Sequence, residues 1–200
     1  MQIPKEEVRE SILAAAREEF LLNGYENGSI RTIAAKAKTS KSNLYHYFQD
    51  KDALFRAVVE PTLMKVREGF AHLHAANSQK SAASYTLEAQ GQIMTAFGKF
   101  LFGHREDFQL LFYKAAGSTL SGFQNDVTDS LADVLGGWVA VAAPEAKLSK
   151  AFLRSVAGFY VSGMEQMLRS NETMEQAAAH MKEFLPFVYG GWRNILQSKE

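Results

Sequence analysis

The sequence predicts an all-α fold of about nine helices. Three observations carry that prediction. Apolar side chains recur at three- and four-residue spacing along most of the chain. Residues that start and stop helices stand where those stripes begin and end. No stretch alternates apolar and polar side chains with the period a half-buried strand needs, and no internal repeat or low-complexity tract stands out. Two hundred residues suffice for one large domain, or for a small and a medium one.

The elements follow in order. Val8, Ile12, Ala16 and Phe20 mark one face of a first helix, which Asn23-Gly24 should stop, because glycine takes the left-handed conformation at little cost. Ser29 is a good N-cap for a second helix with the narrow apolar stripe Ile33, Ala34, Ala37. A polar turn at Lys38–Thr39 leads to a third helix opening at Ser40, about two turns long. It is too short to be stable alone and must be held by Leu44 and Phe48 packing inward. Asp50 caps a fourth helix running through Leu54, Phe55, Val58, Val59, Leu63, Val66, Phe70 and Leu73, in which Pro61 should produce a bend or a break.

Beyond it, Ala76–Ser84 reads as a loop. Helices are expected over 84–102, 105–116 and 123–142, with a break at Gly117–Gly122 and an end at Ala143-Pro144. Residues 148–168 are apolar on nearly every side, so that helix should be covered all round. The last helix opens with Thr173 and Gln176, a capping-box pattern, and Pro186 should kink it.

Two short helices around a tight turn, the second dense in donors and flat rings, are the build of a helix-turn-helix DNA reader. The order and spacing of Phe20, Gly24, Tyr25, Ser29, Ile33, Ala34, Ala37, Ser40, Leu44, Tyr45, Tyr47, Phe48, Lys51 and Leu54 resemble the N-terminal domain of the tetracycline-repressor (TetR) family. The resemblance covers about Val8 to Val59. One departure is Lys38, where the family usually has glycine; a non-glycine residue in a left-handed turn costs on the order of 1 kcal/mol. The resemblance implies a helix-turn-helix domain over 1–52 and a larger helical ligand-binding and dimerisation domain over 53–200. It implies a regulator, most readily a repressor, that dimerises on a palindromic double-stranded operator and is released by a small inducer. An activator of the same family, or a helical protein-interaction module, is the alternative.

Charge distribution fits DNA better than the net charge of zero does. Arg31 to Lys51 holds five basic residues against the single acid Asp50. The acids Glu6, Glu7, Glu10, Glu18 and Glu19 lie on helix 1 and would leave the reading face positive if they face solvent.

The first residues of a recognition helix face base edges, here Lys41, Ser42 and Asn43. Lys41 suits guanine O6 and N7. Asn43 suits adenine N6 and N7, or else a first-turn cap. Tyr45 can meet a thymine methyl, donate to phosphate or pack within the head, and His46 and Tyr47 sit further round. Thr39 and Ser40 are placed for phosphates. By resemblance, Tyr47 and Lys51 contact phosphate and Arg31 touches phosphate or base.

In the second half, the resemblance implies an inducer pocket, for which Phe97, Phe100, Phe112, Tyr113, Trp138, Phe159 and Glu165 are candidates; its aromatic richness leans toward an apolar or aromatic ligand. The resemblance also pairs the last two helices with their copies in a homodimer, with Phe152, Val156, Tyr160, Met164, Met167, Met181, Leu185, Val188 and Trp192 as candidates for the seam.

Other chemistries lack their signatures. There is no cysteine, hence no disulfide, thiolate metal site or cysteine nucleophile. The chain has no G-x-S-x-G elbow, P-loop, dinucleotide glycine motif or H-E-x-x-H. His72 and His74, two apart on a helix, point to different faces, and His104, Glu106 and Asp107 read as a helix end rich in solvated charge. No catalytic residue, metal or cofactor is expected. The N-terminus MQIPKEEVRE lacks a secretory pattern and no apolar run approaches a membrane span, so a cytoplasmic protein without a membrane partner is expected.

Overall fold

The computed structural model describes residues 5–77, 85–169 and 173–197. Among them are nine helices and no strand: α1 (Lys5–Asn27), α2 (Ile30–Lys36), α3 (Lys41–Tyr47), α4 (Lys51–Asn77), α5 (Leu87–Gly103), α6 (Arg105–Tyr113), α7 (Phe123–Ala142), α8 (Lys150–Arg169) and α9 (Met174–Gln197). Among the described residues no helix is long and apolar enough to cross a membrane. The chain forms two compact units. The first takes the chain up to Lys65 together with Glu106–Gln124; the second takes Val66–Arg105 together with the chain from Asn125 onward.

In the first unit, Ile12, Ala16 and Phe20 are fully buried along α1. The helix breaks at Gly24, whose φ of 72° and ψ of 172° lie outside the helical region, and a last short turn follows. A Cβ on Gly28 would come within 2.7 Å of the Phe20 ring and 2.9 Å of the Gly24 carbonyl oxygen, so the return of the chain toward α2 needs glycine there. Phe20, Tyr25 and Phe55 then close into an aromatic core, with Phe20 and Phe55 edge to face at 5.1 Å.

The first unit also contains a polar node that the sequence reading missed. Asp107, on α6, is buried rather than solvated. Its carboxylate pairs with the Arg17 guanidinium of α1 and accepts the Thr62 hydroxyl of α4. Arg17 also donates to the Val58 carbonyl oxygen at 3.0 Å. Pro61 has no N–H for the Ala57 carbonyl four residues back, yet α4 is helical from Lys51 to Asn77. The α6–α7 connection is fastened to the same unit. The Tyr25 N–H donates to the Lys114 carbonyl at 2.7 Å, and the Asp52 carboxylate takes both the Thr119 N–H (2.8 Å) and its hydroxyl (2.6 Å).

In the second unit α5 packs on α9, where Gly98 sits so close to Met181 that a Cβ would lie 2.9 Å from its methyl carbon. The buried Asn77 side chain donates to the Val134 carbonyl at 2.7 Å. Helix α5 is capped by Thr86, whose hydroxyl accepts the Ala89 N–H. Helix α9 has the full capping box: Thr173 Oγ1 accepts the Gln176 N–H at 3.3 Å and the Gln176 side chain takes the Thr173 N–H at 2.8 Å. It continues through Pro186. Residues 78–84 of the expected loop lie outside the described residues.

Helix α8 buries one stripe within the chain, Ala157, Val161, Met164 and Leu168, and leaves Phe152 and Phe159 about 40% exposed. Apolar side chains thus extend beyond the stripe that packs within the chain.

Candidate nucleic-acid interface

Helix α3 is held from beneath and free above. Leu44 is fully buried and Phe48, immediately beyond the helix, nearly so. Ser40 Oγ accepts the Asn43 N–H at 3.0 Å, which fixes the start of the helix. The preceding turn is left-handed at Lys38, with φ of 52°, the one non-glycine residue of positive φ among those described. Ser29 caps α2 in the same way through the Thr32 N–H, and Asp50 caps α4 through the Ala53 N–H at 2.7 Å.

Above this frame Ser40, Ser42, Asn43, Tyr45 and His46 line an open depression. Arg31, Lys38, Lys41, Ser42, Asn43, Tyr45 and His46 are all exposed. The Lys41 ammonium lies 5.7 Å from the centre of the Tyr45 ring. Asn43 Nδ2 donates to Thr39 Oγ1 at 2.8 Å. The amide thus braces the turn, and bidentate contact with adenine requires it to leave Thr39. Tyr47 is half-buried, its ring edge to face with His46, with Lys5 Nζ 5.9 Å from its centre.

Lys51 is drawn inward. Its ammonium donates to the Glu26 carbonyl at 3.1 Å and lies 4.8 Å over the Tyr25 ring, closing the last turn of α1. Burial lowers its pKa, against the opposing pull of Glu26 and Glu19.

The acids of α1 divide. Glu6, Glu7, Glu10 and Glu18 are exposed, but Glu19 is buried, contrary to expectation. Its carboxylate accepts the Ser29 N–H at 3.1 Å and the Asn23 amide at 2.9 Å, and Lys36 lies 3.9 Å away. Glu19 therefore locks the entry to α2. Lys36, also paired with Glu18 at 3.5 Å, is neutralised by α1.

Residues 12–58 match the family model described as bacterial regulatory proteins, tetR family. The chain is 36% identical to the HTH-type transcriptional regulator UidR of Escherichia coli (strain K12) over 97 residues, 46% of this chain and 50% of the relative. The head of the chain, residues 12–58, is thus similar to the TetR-family helix-turn-helix domain. It spans about half the length of the curated relatives it matches. Solved structures extend the likeness of fold. A TetR-like transcriptional regulator from Rhodococcus sp. RHA1 superposes with a TM-score of 0.60 at 21% identity, covering 98% of this chain and 100% of the other. NalD of Pseudomonas aeruginosa, the secondary repressor of the MexAB-OprM multidrug efflux pump, gives 0.63 at 19% identity over 90% and 94%.

Outside the TetR-family head, the candidate pocket residues fall into different surroundings. Phe112 and Tyr113 belong to the first unit, where Phe112 meets Phe123 edge to face at 5.7 Å. In the second unit, Phe97 is half-buried and Phe100 leans on His104 at 5.0 Å. Trp138 is buried against Trp192. Phe159 is exposed and stacked on Phe184 at 4.8 Å, and Glu165 faces Arg169 at 3.8 Å.

Of the seam candidates, Met164 and Trp192 are buried within the chain, Phe152 is exposed, and Val156, Tyr160, Met167, Met181, Leu185 and Val188 are half-buried. Sequence reasoning passed over Phe184 and Phe187. The latter is 71% exposed and joins the Phe159–Phe184 stack at 5.8 Å from Phe159. A phenylalanine following Pro186 gave no periodic signal that set it apart from core.

Proposed function

We propose that this chain is a sequence-specific DNA-binding regulator, a repressor that dimerises on a palindromic operator and is released by a small apolar or aromatic ligand. The observation that carries the reading is the exposed depression on α3, built by a capped turn and bearing Lys41, Ser42, Asn43, Tyr45 and His46 above a buried Leu44. Phosphate contacts from Arg31, Thr39, Ser40, Tyr47 and Lys51 position the helix, and Lys41 and Asn43 specify bases. Lys51 serves DNA with the charge of the same ammonium that holds the last turn of α1.

One short recognition helix covers few base pairs, and two copies on half-sites about 34–36 Å apart multiply specificity. The exposed apolar side chains Phe152, Phe159, Met174 and Phe187 on α8 and α9 support pairing of these helices with a second copy. Helix α4 supports transmission of a ligand signal: it is one continuous helix whose residues to Lys65 fall in the first unit and from Val66 in the second.

The test is selection from a pool of random duplex DNA at physiological salt, followed by sequencing. A recovered palindrome is the expected result, and its half-site spacing gives the separation of the two heads. Retention without any common sequence, lost steeply with salt, overturns the reading.

A further inference from the structure

In the second unit five aromatic side chains from four segments meet: Tyr85 beside the α5 cap, Trp138 of α7, Tyr160 of α8, and Tyr189 and Trp192 of α9. Tyr85 stacks on Tyr189 at 5.3 Å with the rings 12° apart, and lies 5.0 Å from Trp138. Trp138 meets Trp192 edge to face at 5.0 Å, and Trp192 Nε1 donates to the Tyr160 hydroxyl at 2.7 Å. Apolar side chains, among them Leu135, Leu148, Leu153, Val156 and Val188, pack around the two tryptophans.

One atom in this cluster is out of place for a finished core. The Tyr85 hydroxyl is buried and has no hydrogen-bond partner, the one such side-chain atom among the described residues. A buried hydroxyl without a partner costs about 1–3 kcal/mol and calls for an explanation. Its neighbour Tyr160 accepts from Trp192 and keeps its own hydrogen to donate. Burial raises the pKa of both phenols, with Tyr160 and Tyr189 adding to the effect at Tyr85, so both remain protonated donors. The cluster therefore holds surplus donors between flat rings and apolar side chains. A charged guest would lose its hydration there, which is costly; a neutral acceptor would satisfy the orphan hydroxyl. Tyr85 and Tyr189 are half-buried, so the stack has an edge open to solvent.

We propose that this aromatic cluster is the effector site, and that it takes a neutral, flat apolar molecule carrying a hydrogen-bond acceptor, such as an aryl ketone, with the acceptor on the Tyr85 hydroxyl. The proposal rests on the ligand-released regulator argued above. It joins that reading at α8 and α9, which contribute Tyr160, Tyr189 and Trp192 to the cluster and Phe152, Phe159 and Phe187 to the exposed apolar face.

The chain has two tryptophans, Trp138 and Trp192, and both are in the cluster, so intrinsic tryptophan fluorescence reports on this site alone. The full chain is titrated with four matched probes: 2-acetylnaphthalene, 2-ethylnaphthalene, 2-naphthoate and 2-naphthylmethylammonium. The ketone is expected to change the emission saturably, with the other three at least ~10-fold weaker. Tyr85→Phe should weaken the ketone ~10-fold, one hydrogen bond's worth, and leave the hydrocarbon unchanged. Without ligand, Tyr85→Phe should melt at or above the temperature of the unaltered chain, because it removes an unpaired polar atom.

Equal affinity for ketone and hydrocarbon, an undiminished ketone affinity in Tyr85→Phe, no saturable change with any probe, or a lowered melting temperature each overturns the assignment. Operator selection is done without ligand, so a palindrome combined with failure here leaves the regulator reading standing and removes only the site.

Discussion

Helix α3 has seven residues, buries Leu44 and turns its polar side chains outward; α8 has twenty, buries four and still exposes two phenylalanines. On the short helix the exposed side chains, apart from Asn43 bracing the turn, bury nothing of the core, so their donors and rings can be weighed as candidates for function. On the long one, core and surface are built from the same residue types, and side-chain chemistry does not separate a face that packs within the chain from one that waits for a partner. A polar residue on a short, anchored helix is thus informative by itself, whereas an apolar residue on a long helix becomes informative only once its neighbours are known.

The sharpest way to break this contrast lies under the head. If the reading surface depends on its frame, the buried node beneath it matters more than any exposed side chain. Asp107→Ala removes the buried carboxylate that pairs with Arg17 and accepts the Thr62 hydroxyl. The expected loss is about 3 kcal/mol in urea unfolding, the low end for removing one partner of a buried pair, because Arg17 keeps some access to water. A loss below about 1 kcal/mol would show that α6 does not organise the first unit.

The exposed face of α8 and α9 comes next. Phe187→Ser should weaken self-association ~10-fold or more by sedimentation while leaving the monomer's thermal stability unchanged, since this side chain is 71% exposed within the chain. Lowered stability with unchanged association would mean that the face serves the fold of the chain itself.

How much could be read in advance follows the same division. The caps Ser29, Ser40, Asp50 and Thr173 were legible because a cap is a local bond over three residues, and each makes that bond. The left-handed turn at Lys38 was legible through the resemblance, in which glycine usually holds that place. Asp107 and Glu19 were not. Each reads as a surface acid, and what buries it is remote: Arg17 lies 90 residues from Asp107, and the Ser29 N–H lies 10 from Glu19 across a helix break. For Pro61 the sequence allows a bend or a break, and α4 runs on through it to Asn77; whether a proline ends a helix depends on packing that is not local. Phe112 and Trp138 belonged to one apolar tally in the sequence, yet they lie in different compact units.

A finer comparison lies within the head itself, between the cation proposed to read bases and the one proposed to hold phosphate. Lys41 is exposed beside Tyr45, whereas Lys51 is bonded to the Glu26 carbonyl. Lys41→Ala should weaken a selected operator by ~10-fold or more beyond its effect on random DNA, about the worth of one good base contact. Lys51→Ala should weaken both alike and reduce the slope of affinity against salt. Equal losses on operator and random DNA for Lys41→Ala would remove it from the base-reading set.

The smallest effect expected tests whether the frame and the reading surface can be separated at all. Lys38 holds φ at 52°, a conformation that costs a side-chain-bearing residue on the order of 1 kcal/mol and glycine very little. Part of that gain is cancelled, because glycine has more unfolded freedom to lose. Lys38→Gly should therefore stabilise the protein by roughly 0.5 kcal/mol in urea unfolding. It also deletes one of the exposed cations next to α3, so non-specific DNA binding should weaken slightly while the preferred sequence stays the same. If the substitution destabilises the chain, the turn is held by a contact of the Lys38 side chain and not by the backbone alone. If it changes the preferred sequence, the turn is part of the reading surface, and the division between an anchored frame and a free exposed face fails where the two are closest.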